Sequence, residues 1–256
     1  LRNFGLIGQS LVHSFSKDYF NKKFKTENID ALYSNFEIEN TSSLRDLFSN
    51  HNLSGLNVTI PFKQKVISQL DSLDEISQEI DAVNTIKPFF KNNKLVSLKG
   101  YNTDVYGFKQ MVKPYLKSQH TKALILGTGG ASKAVAYVLN AYNIEVNFIS
   151  RKKLPTLNNY FTWNQINSHM VAGHYLIINT TPVGMYPNVD KEIKIAYDSL
   201  TSKHLVIDLI YNPEQTLFLK KAFLKNAKIL NGYQMLVHQA LKAWDIWESS
   251  NIIKSY

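Results

Sequence analysis

A lysine follows a predicted strand in the segment GLNVTIPFKQK, which spans residues 55–65. Apolar Leu56, Val58 and Ile60 alternate with polar residues, and this period of two predicts a strand over residues 56–60. The proline that follows cannot donate a backbone hydrogen bond, so we expect the strand to end there. Lys63 then lies just past the strand end, where it is either a solvated surface charge or a proton donor in a site.

A second stretch whose residue types could serve a functional site is the glycine turn GTGGAS at residues 127–132. It lies between a predicted strand over residues 122–126 and a predicted helix over residues 131–142, the context that a dinucleotide fingerprint requires. Gly127 permits a tight turn, and Gly129 lets the backbone approach a pyrophosphate at the helix N-terminus. Ser132 takes the place of the usual third glycine. The turn therefore predicts a dinucleotide cofactor.

The end of the next predicted strand, residues 145–150, indicates which dinucleotide would fit. NAD sites place an Asp or Glu there for the ribose 2′-hydroxyl, whereas Arg151, Lys152 and Lys153 follow this strand. Arg151 is one of only three arginines in the chain, and an arginine can grip a 2′-phosphate through two hydrogen bonds. We therefore expect NADP rather than NAD.

Alternating strands and helices must position these residues. Hydrophobic periodicity predicts strands over residues 4–8, 31–38, 56–60, 82–87, 94–99, 122–126, 145–150, 174–179 and 205–209, and helices over 17–26, 41–49, 72–80, 105–115, 131–142 and 235–249. A second series of alternating helices and strands begins after residues 101–104. This pattern predicts an α/β fold of two α/β lobes with a cleft between them, the second lobe a Rossmann-like, doubly wound parallel sheet.

Composition limits the class of protein. The chain has 256 residues, 44% of them hydrophobic, which is enough for one large domain or two modest ones. The lack of cysteine excludes disulfides and thiolate nucleophiles, and the seven histidines show no metal-ligand spacing, so we expect no metal site. No signal peptide and no apolar run of about 18 residues is visible, so we expect a cytoplasmic protein without a membrane partner.

The formal net charge of +9 would attract nucleic acid or phosphorylated molecules. The basic residues are scattered along the chain, however, and no zinc-finger, RNP-type or basic-helix motif is present. We therefore expect a small-molecule substrate and no nucleic-acid partner.

Further polar residues fall where predicted strands end. Ser14 and Ser16 lie in the loop after the first strand. Asn84 follows the apolar residues Ala82 and Val83, and Asp104 lies at the boundary between the lobes. Ligands of open α/β sheets bind beyond the carboxyl ends of the strands. We expect these side chains to line one crevice.

Taken in order along the chain, these motifs resemble the shikimate dehydrogenase family. The matching segments are GQSLVHSFS (8–16), GLNVTIPFK (55–63), AVNT (82–85), GYNTD (100–104), GTGGAS (127–132), NTTPVGM (179–185), DLIY (208–211) and GYQMLVHQ (232–239). Each motif alone is modest, and together they are specific and span nearly the whole chain.

The resemblance implies reversible NADPH-dependent reduction of 3-dehydroshikimate to shikimate, on the route to chorismate and aromatic amino acids. Lys63 and Asp104 would form the catalytic pair, with Lys63 as proton donor and acceptor. Ser14 and Ser16 would hold the substrate carboxylate. The other substrate contacts would come from Asn57, Thr59, Lys63, Asn84, Asp104, Tyr211 and Gln239.

The resemblance also implies how the cofactor is held and how the domains divide. NADP would contact Gly127, Gly129, Gly130, Ala131, Ser132, Ser150, Arg151, Lys152, Thr180, Leu209, Gly232 and Met235. Residues 1–103 plus 233–256 would form a substrate-binding catalytic domain, and residues 104–232 an NADP-binding domain. The protein would be a monomer or a homodimer.

Two other interpretations stay open. One is a quinate/shikimate dehydrogenase relative that uses NAD or both cofactors, although Arg151 argues against NAD. The other is a non-catalytic protein that binds NADP or nucleic acid through its positive charge, although retention of Lys63 with Asp104 argues against a pure binder.

Overall fold

The computed structural model describes residues 1–11, 14–151 and 158–249. The strands are β1 (Arg2–Gly8), β2 (Ala31–Glu37), β3 (Leu53–Val58), β4 (Ser72–Leu73), β5 (Thr85–Lys91), β6 (Lys94–Tyr101), β7 (Lys122–Leu126), β8 (Glu145–Ser150), β9 (Tyr160–Thr162), β10 (Leu176–Asn179), β11 (Leu205–Asp208) and β12 (Lys228–Leu230). The helices are α1 (Phe15–Thr26), α2 (Leu44–Asn50), α3 (Glu75–Ile80), α4 (Asp104–Val112), α5 (Gly130–Ala141), α6 (Ser168–Gly173), α7 (Leu217–Phe223) and α8 (Tyr233–Glu248).

The chain divides into two compact units. The first unit comprises residues 1–106 and 236–256, and the second comprises residues 107–235. The functions assigned above to the two parts of the chain remain predictions.

The first unit is built on a mixed six-stranded sheet. Its strand order is β2-β1-β3-β5-β6-β4, with β1 parallel to β2 and β3, and β5 antiparallel to β3 and β6. Because side chains alternate along a strand, Leu56 and Val58 join one core with Phe48 of α2, whereas Asn57 points to the other face.

That other face carries a core of aromatic rings beneath α1 and α8. Phe4 of β1, Phe20 of α1, Tyr33 of β2 and Trp247 of α8 are all buried there. The rings of Phe20 and Tyr33 stack with centroids 4.8 Å apart. The packing fixes both helices and the side chain of Tyr33 against the sheet.

The second unit is a fully parallel sheet in the order β12-β11-β10-β7-β8-β9. Starting from β7, the chain adds β8 and β9 on one side of the sheet and then β10, β11 and β12 on the other side. This is the Rossmann type of strand order, and the side changes between β7 and β10. The strands β10 and β11 are buried at every position, as expected of a parallel sheet covered on both faces. The predicted class of two α/β units, the second Rossmann-like, is confirmed.

Several element boundaries differ from the sequence predictions. The strand predicted over 56–60 is β3, which ends at Val58, and Ile60 is 71% exposed. The helix predicted over 72–80 starts only at Glu75, because Asp74 accepts a hydrogen bond from Ser77 N as its N-cap. The helix predicted over 105–115 gives way to a 3-10 turn at Lys113–Tyr115, where a proline lacks the donor that an α-helix needs.

Five short elements were not predicted: β4, β9, β12, α6 and α7. The three strands have two or three residues, and the two helices have six or seven. Two or three residues are too few to display a period, and six or seven residues make no more than about two helical turns.

Candidate active site

Lys63 and Asp104 form a buried ion pair in the first unit. Lys63 Nζ lies 2.6 Å from Asp104 Oδ2, and the two side chains are 17% and 2% exposed. The carbonyl of Lys63 accepts a hydrogen bond from Val83 N at 2.8 Å, which ties the turn after β3 to the segment before β5. Asp104 is the first residue of α4, where the helix dipole favours a carboxylate. The structure thus joins the two predicted catalytic residues.

Asn57 of β3 is held by hydrogen bonds at both ends of its amide. Tyr33 Oη donates to Asn57 Oδ1 at 2.7 Å. Asn57 Nδ2 donates to the carbonyl of Asn84 at 3.2 Å and to Thr85 Oγ1 at 3.0 Å. The contact with Thr85 follows from register, because β3 and β5 pair antiparallel with Asn57 opposite Thr85.

Asn84 is held in a complementary way. Its Oδ1 accepts from Thr103 N at 2.8 Å, and from Thr103 Oγ1 and Thr85 Oγ1 at 3.1 Å each. The segment before α4 is anchored in turn by Asn102, which donates to the Ala82 carbonyl. We call Tyr33, Asn57, Asn84, Thr85 and Thr103 the amide network. It runs from β2 to the residue that precedes Asp104.

The remaining predicted substrate residues occupy separate places. Ser14 caps α1 by accepting from Lys17 N at 3.2 Å, and Ser16 lies in the first turn of α1, where its hydroxyl interacts with Tyr33. Thr59 directly follows β3, and its N–H donates a hydrogen bond to the Ile7 carbonyl at 3.0 Å. Gln239 lies in α8 of the first unit. Tyr211 follows β11 in the second unit.

The glycine turn between β7 and α5 has the shape that its sequence predicts. Gly127 has a φ of +112°, and a Cβ there would come within 2.7 Å of Thr180 Oγ1. A Cβ on Gly129 would meet nothing within 4 Å. Gly129 is the N-cap of α5 and has no side chain to cap the helix, and the first N–H groups of a helix have no intrahelical partner. A pyrophosphate fits such a place.

Ser132 completes this turn in place of a third glycine. Its Oγ donates to the Gly129 carbonyl at 2.6 Å, and the residue is buried. The buried serine therefore stabilises the turn through this hydrogen bond.

A buried carboxylate that we did not predict as a site residue lies beneath the neighbouring strand ends. Asp208 accepts hydrogen bonds from Asn179 Nδ2 at 2.9 Å, Ile210 N at 3.0 Å and Thr216 Oγ1 at 2.6 Å. Burial raises the pKa of Asp208 to about 6, although the three hydrogen bonds lower it. Asn179 Oδ1 in turn accepts from Thr181 N at 2.9 Å, so one carboxylate orders the loops after β10 and β11.

Two further predicted cofactor residues pack against each other. A Cβ on Gly232 would lie 1.9 Å from the Leu209 carbonyl oxygen, so only glycine fits there. Gly232 N donates to the Ile210 carbonyl at 3.0 Å. Met235, in the first turn of α8, is buried.

Arg151 directly follows β8 and is exposed, while Ser150 at the strand end is buried. Arg151 forms no ion pair with any residue that the structure describes. Lys152 lies outside the described residues.

Within the described ranges, the structure contains no cluster of three His, Cys, Asp or Glu side chains that could hold a metal ion. No helix among those residues is both long and apolar enough to cross a bilayer.

The chain is similar to known proteins over nearly its whole length. Residues 6–86 match the family model described as the shikimate dehydrogenase substrate binding domain. The chain is 37% identical to a shikimate dehydrogenase (NADP(+)) of Clostridium beijerinckii, over 97% of this chain and 93% of the relative. It is 36% identical to the corresponding protein of Methanosphaera stadtmanae, over 95% and 90%.

A solved structure is also similar. The shikimate 5-dehydrogenase of Thermus thermophilus in complex with NADP(H) and shikimate matches with a TM-score of 0.83 and 25% identity, over 98% of this chain and 94% of that one. The fold and the similarity to these proteins define a nicotinamide-dependent oxidoreductase built from two α/β units. The chain belongs to the shikimate dehydrogenase family.

Proposed function

We propose that the protein catalyses the reversible NADPH-dependent reduction of 3-dehydroshikimate to shikimate. The observation that carries this proposal is the 2.6 Å pair of Lys63 and Asp104, buried beside the amide network. Two relatives named shikimate dehydrogenase (NADP(+)) are 36% and 37% identical to this chain. The expected monomeric or dimeric state and cytoplasmic location remain predictions.

Lys63 is the proton donor in the reductive direction. As the substrate carbonyl is reduced, negative charge develops on its oxygen, and the Lys63 ammonium gives that oxygen a proton. In the reverse direction neutral Lys63 removes the hydroxyl proton. General acid–base help of this kind contributes about 10²–10⁴-fold in rate.

Asp104 holds the lysine in position. Its carboxylate is almost fully buried and bonds Nζ at 2.6 Å, so the ammonium cannot swing into solvent without leaving a buried charge unpaired. The partial exposure of Lys63 leaves the other ammonium hydrogens free for the substrate.

The described residues fit a bound NADP. The glycine turn and the N-terminus of α5 would hold the pyrophosphate, Arg151 would pair with the 2′-phosphate, and Gly232 and Met235 would lie near the nicotinamide. When bound in its reduced form, the cofactor supplies the hydride.

Substrate selection would rest on hydrogen bonds. Ser14 and Ser16 at the N-terminus of α1 would receive the carboxylate, and the hydroxyl groups would be received by Asn57, Thr59, Asn84, Tyr211 and Gln239. A substrate that lacks a hydroxyl would leave a polar group unpaired, which costs about 1–3 kcal/mol.

The second candidate is an NAD- or dual-specific quinate/shikimate dehydrogenase. The deciding experiment measures formation of reduced cofactor by the purified protein, with shikimate or quinate crossed against NADP or NAD. Rapid turnover only with shikimate and NADP supports the proposal, and comparable rates with quinate or NAD support the second candidate. If the folded protein turned over no pair, both dehydrogenase activities would be excluded and the non-catalytic interpretation would be taken up.

A further inference from the structure

We propose that Thr85 is a positioning residue that completes a hydrogen-bonding polarity set by two backbone groups of the substrate site, so that Asn57 acts only as an acceptor and Asn84 only as a donor toward a substrate hydroxyl. Thr85 is not among the substrate contacts predicted from the sequence, and its side chain is fully buried. The inference rests on the proposed function, because it concerns the same site.

The orientation of the Asn57 amide follows from the backbone beside it. The carbonyl oxygen of Asn84 can only accept, so the Asn57 atom that lies 3.2 Å away must be the NH₂ nitrogen. The second hydrogen of that nitrogen goes to Thr85 Oγ1. Both donors are therefore used inside the protein. Asn57 Oδ1 accepts from Tyr33 Oη and keeps one lone pair.

The Asn84 amide is fixed by the opposite argument. The backbone N–H of Thr103 can only donate, so the Asn84 atom 2.8 Å from it must be the oxygen. That oxygen also receives the hydroxyls of Thr103 and Thr85, which uses up its acceptor capacity. Asn84 Nδ2 bonds no residue in the described part of the chain, so two N–H donors remain for a ligand.

The Thr85 hydroxyl joins the two amides in one direction. It accepts from Asn57 Nδ2 at 3.0 Å and donates its single hydrogen to Asn84 Oδ1 at 3.1 Å. If either amide rotated by 180°, it would place like groups against the backbone: the Asn57 oxygen would face the Asn84 carbonyl, and the Asn84 NH₂ would face the Thr103 N–H. The packing of Tyr33 on Phe20 holds the far end of the network.

This polarity selects one kind of group. A ring hydroxyl between the amides would donate to Asn57 Oδ1 and accept from Asn84 Nδ2. A ketone oxygen accepts but cannot donate, so it would satisfy Asn84 and leave Asn57 unpaired. The amides thus recognise a hydroxyl that does not react, and Lys63 is left to meet the oxygen that does.

The kinetic test uses Thr85→Val, which keeps the side-chain shape and removes the hydroxyl, with Thr85→Ser as the rescue. We expect Thr85→Val to raise KM for shikimate by about 10–100-fold and to leave KM for NADP unchanged. Thr85→Ser should stay within about threefold of the wild type. The control is Thr41→Val, which alters another buried threonine of the first unit. An unchanged KM for shikimate in Thr85→Val would overturn the proposal.

A second readout does not depend on catalysis. In ligand-free protein labelled with ¹⁵N at asparagine, hydrogen exchange of the side-chain amides is compared, with signals assigned from Asn57→Asp and Asn84→Asp. We expect the side-chain NH₂ of Asn57 to exchange its hydrogens more slowly than that of Asn84. Thr85→Val should increase the exchange rate of the Asn57 NH₂, and Thr41→Val should leave that rate unchanged. Equal rates at both amides would exclude the fixed polarity. If the wild type failed to oxidise shikimate, the proposed function would fail, and the exchange rates would still decide the role of Thr85.

Discussion

Lys63 and Lys65 are two residues apart, and their surroundings give them different roles. Lys63 is mostly buried and pairs with Asp104, whereas Lys65 is exposed. The sequence placed Lys63 at a strand end but could not show this pairing from spacing alone, because Asp104 is 41 residues further along the chain. Pairing at such a separation depends on how β3 and α4 are brought together by the sheet.

Replacement of Lys63 by alanine removes the proton donor. We expect kcat to fall by about 10²–10⁴-fold, with KM for shikimate within a few-fold of the wild type, because binding rests on the other polar groups. Lys65→Ala, which removes the same charge nearby, should leave both constants unchanged. The measurement is steady-state kinetics of both variants, and a change confined to KM in Lys63→Ala would contradict the assigned role.

Arg151 is expected to select the cofactor. Arg151→Ala should raise KM for NADP by about 10–100-fold and leave KM for NAD nearly unchanged, because only NADP carries the 2′-phosphate. Arg45→Ala serves as the control, since it removes an equal charge from an arginine that pairs with Asp71 in the first unit. Equal effects of Arg151→Ala on both cofactors would refute this assignment.

Asp208 makes folding depend on pH. Its folded-state pKa of about 6 lies above the ordinary 3.8, so the folded protein binds this proton more tightly than the unfolded chain does. The resulting stability is full below the ordinary value and is lost as pH rises through about 6. Relative to Asp208→Asn, the wild-type free energy of unfolding should fall by on the order of 2–3 kcal/mol between about pH 4 and pH 7.

Denaturant titrations of both proteins across that range would measure this difference. Parallel pH profiles for the wild type and Asp208→Asn would show that Asp208 is not the titrating group. The residue escaped prediction as a site residue because its three hydrogen-bond donors come from β10, the loop after β11 and the residue before α7, and only the fold brings them together.

At the scale of elements, strands of five or six residues were predictable and strands of three residues were not. The sequence located β7 and β8 to the residue, since most of their residues are apolar and polar or glycine residues flank them. It missed β9 and β12, with three residues each. The predicted site residues fell at strand ends, but the amide network could not be predicted, because Asn57 meets Thr85 only through the antiparallel pairing of β3 and β5.

The turn between β7 and α5 offers a test of the cofactor site that separates folding from binding. Gly129 has a φ of −83° and open space where a Cβ would lie. Gly129→Ala should therefore leave stability unchanged or raise it by about 0.4–1 kcal/mol, by restricting the unfolded chain. The methyl group would occupy the place expected for the pyrophosphate, so the dissociation constant for NADP should rise by about tenfold or more.

Thermal unfolding and a fluorescence titration with NADPH would measure the two effects. Gly173→Ala is the matched control, because a Cβ there also meets nothing within 4 Å and the residue ends α6 rather than beginning α5. If Gly129→Ala bound NADPH as tightly as the wild type, the open space would not be the cofactor site.

At the scale of the whole molecule, the two units differ in how the chain forms them. The second unit is one continuous segment, residues 107–235, with its own core of Leu124, Ile149, Ile177 and Phe218 among others. The first unit needs both chain ends, since α8 completes the core around Phe4 and Phe20.

The segment 107–235 should therefore fold when it is expressed alone. We expect one cooperative unfolding transition, binding of NADPH with an affinity within about tenfold of the full chain, and no turnover, because Lys63 and Asp104 are absent. Circular dichroism and NADPH titration would measure the first two outcomes. A fragment that folds without binding NADPH would place essential cofactor contacts outside it.

The hairpin between β5 and β6 has a practical consequence. Asn92 and Asn93 at its tip have φ values of 51° and 60°, the left-handed backbone of a tight two-residue turn, and Lys94 beside them is exposed. None of these residues belongs to either proposed site. Since the chain contains no cysteine, Lys94→Cys would create its only thiol, a single handle for attaching a dye or fixing the protein to a surface with both sites left intact.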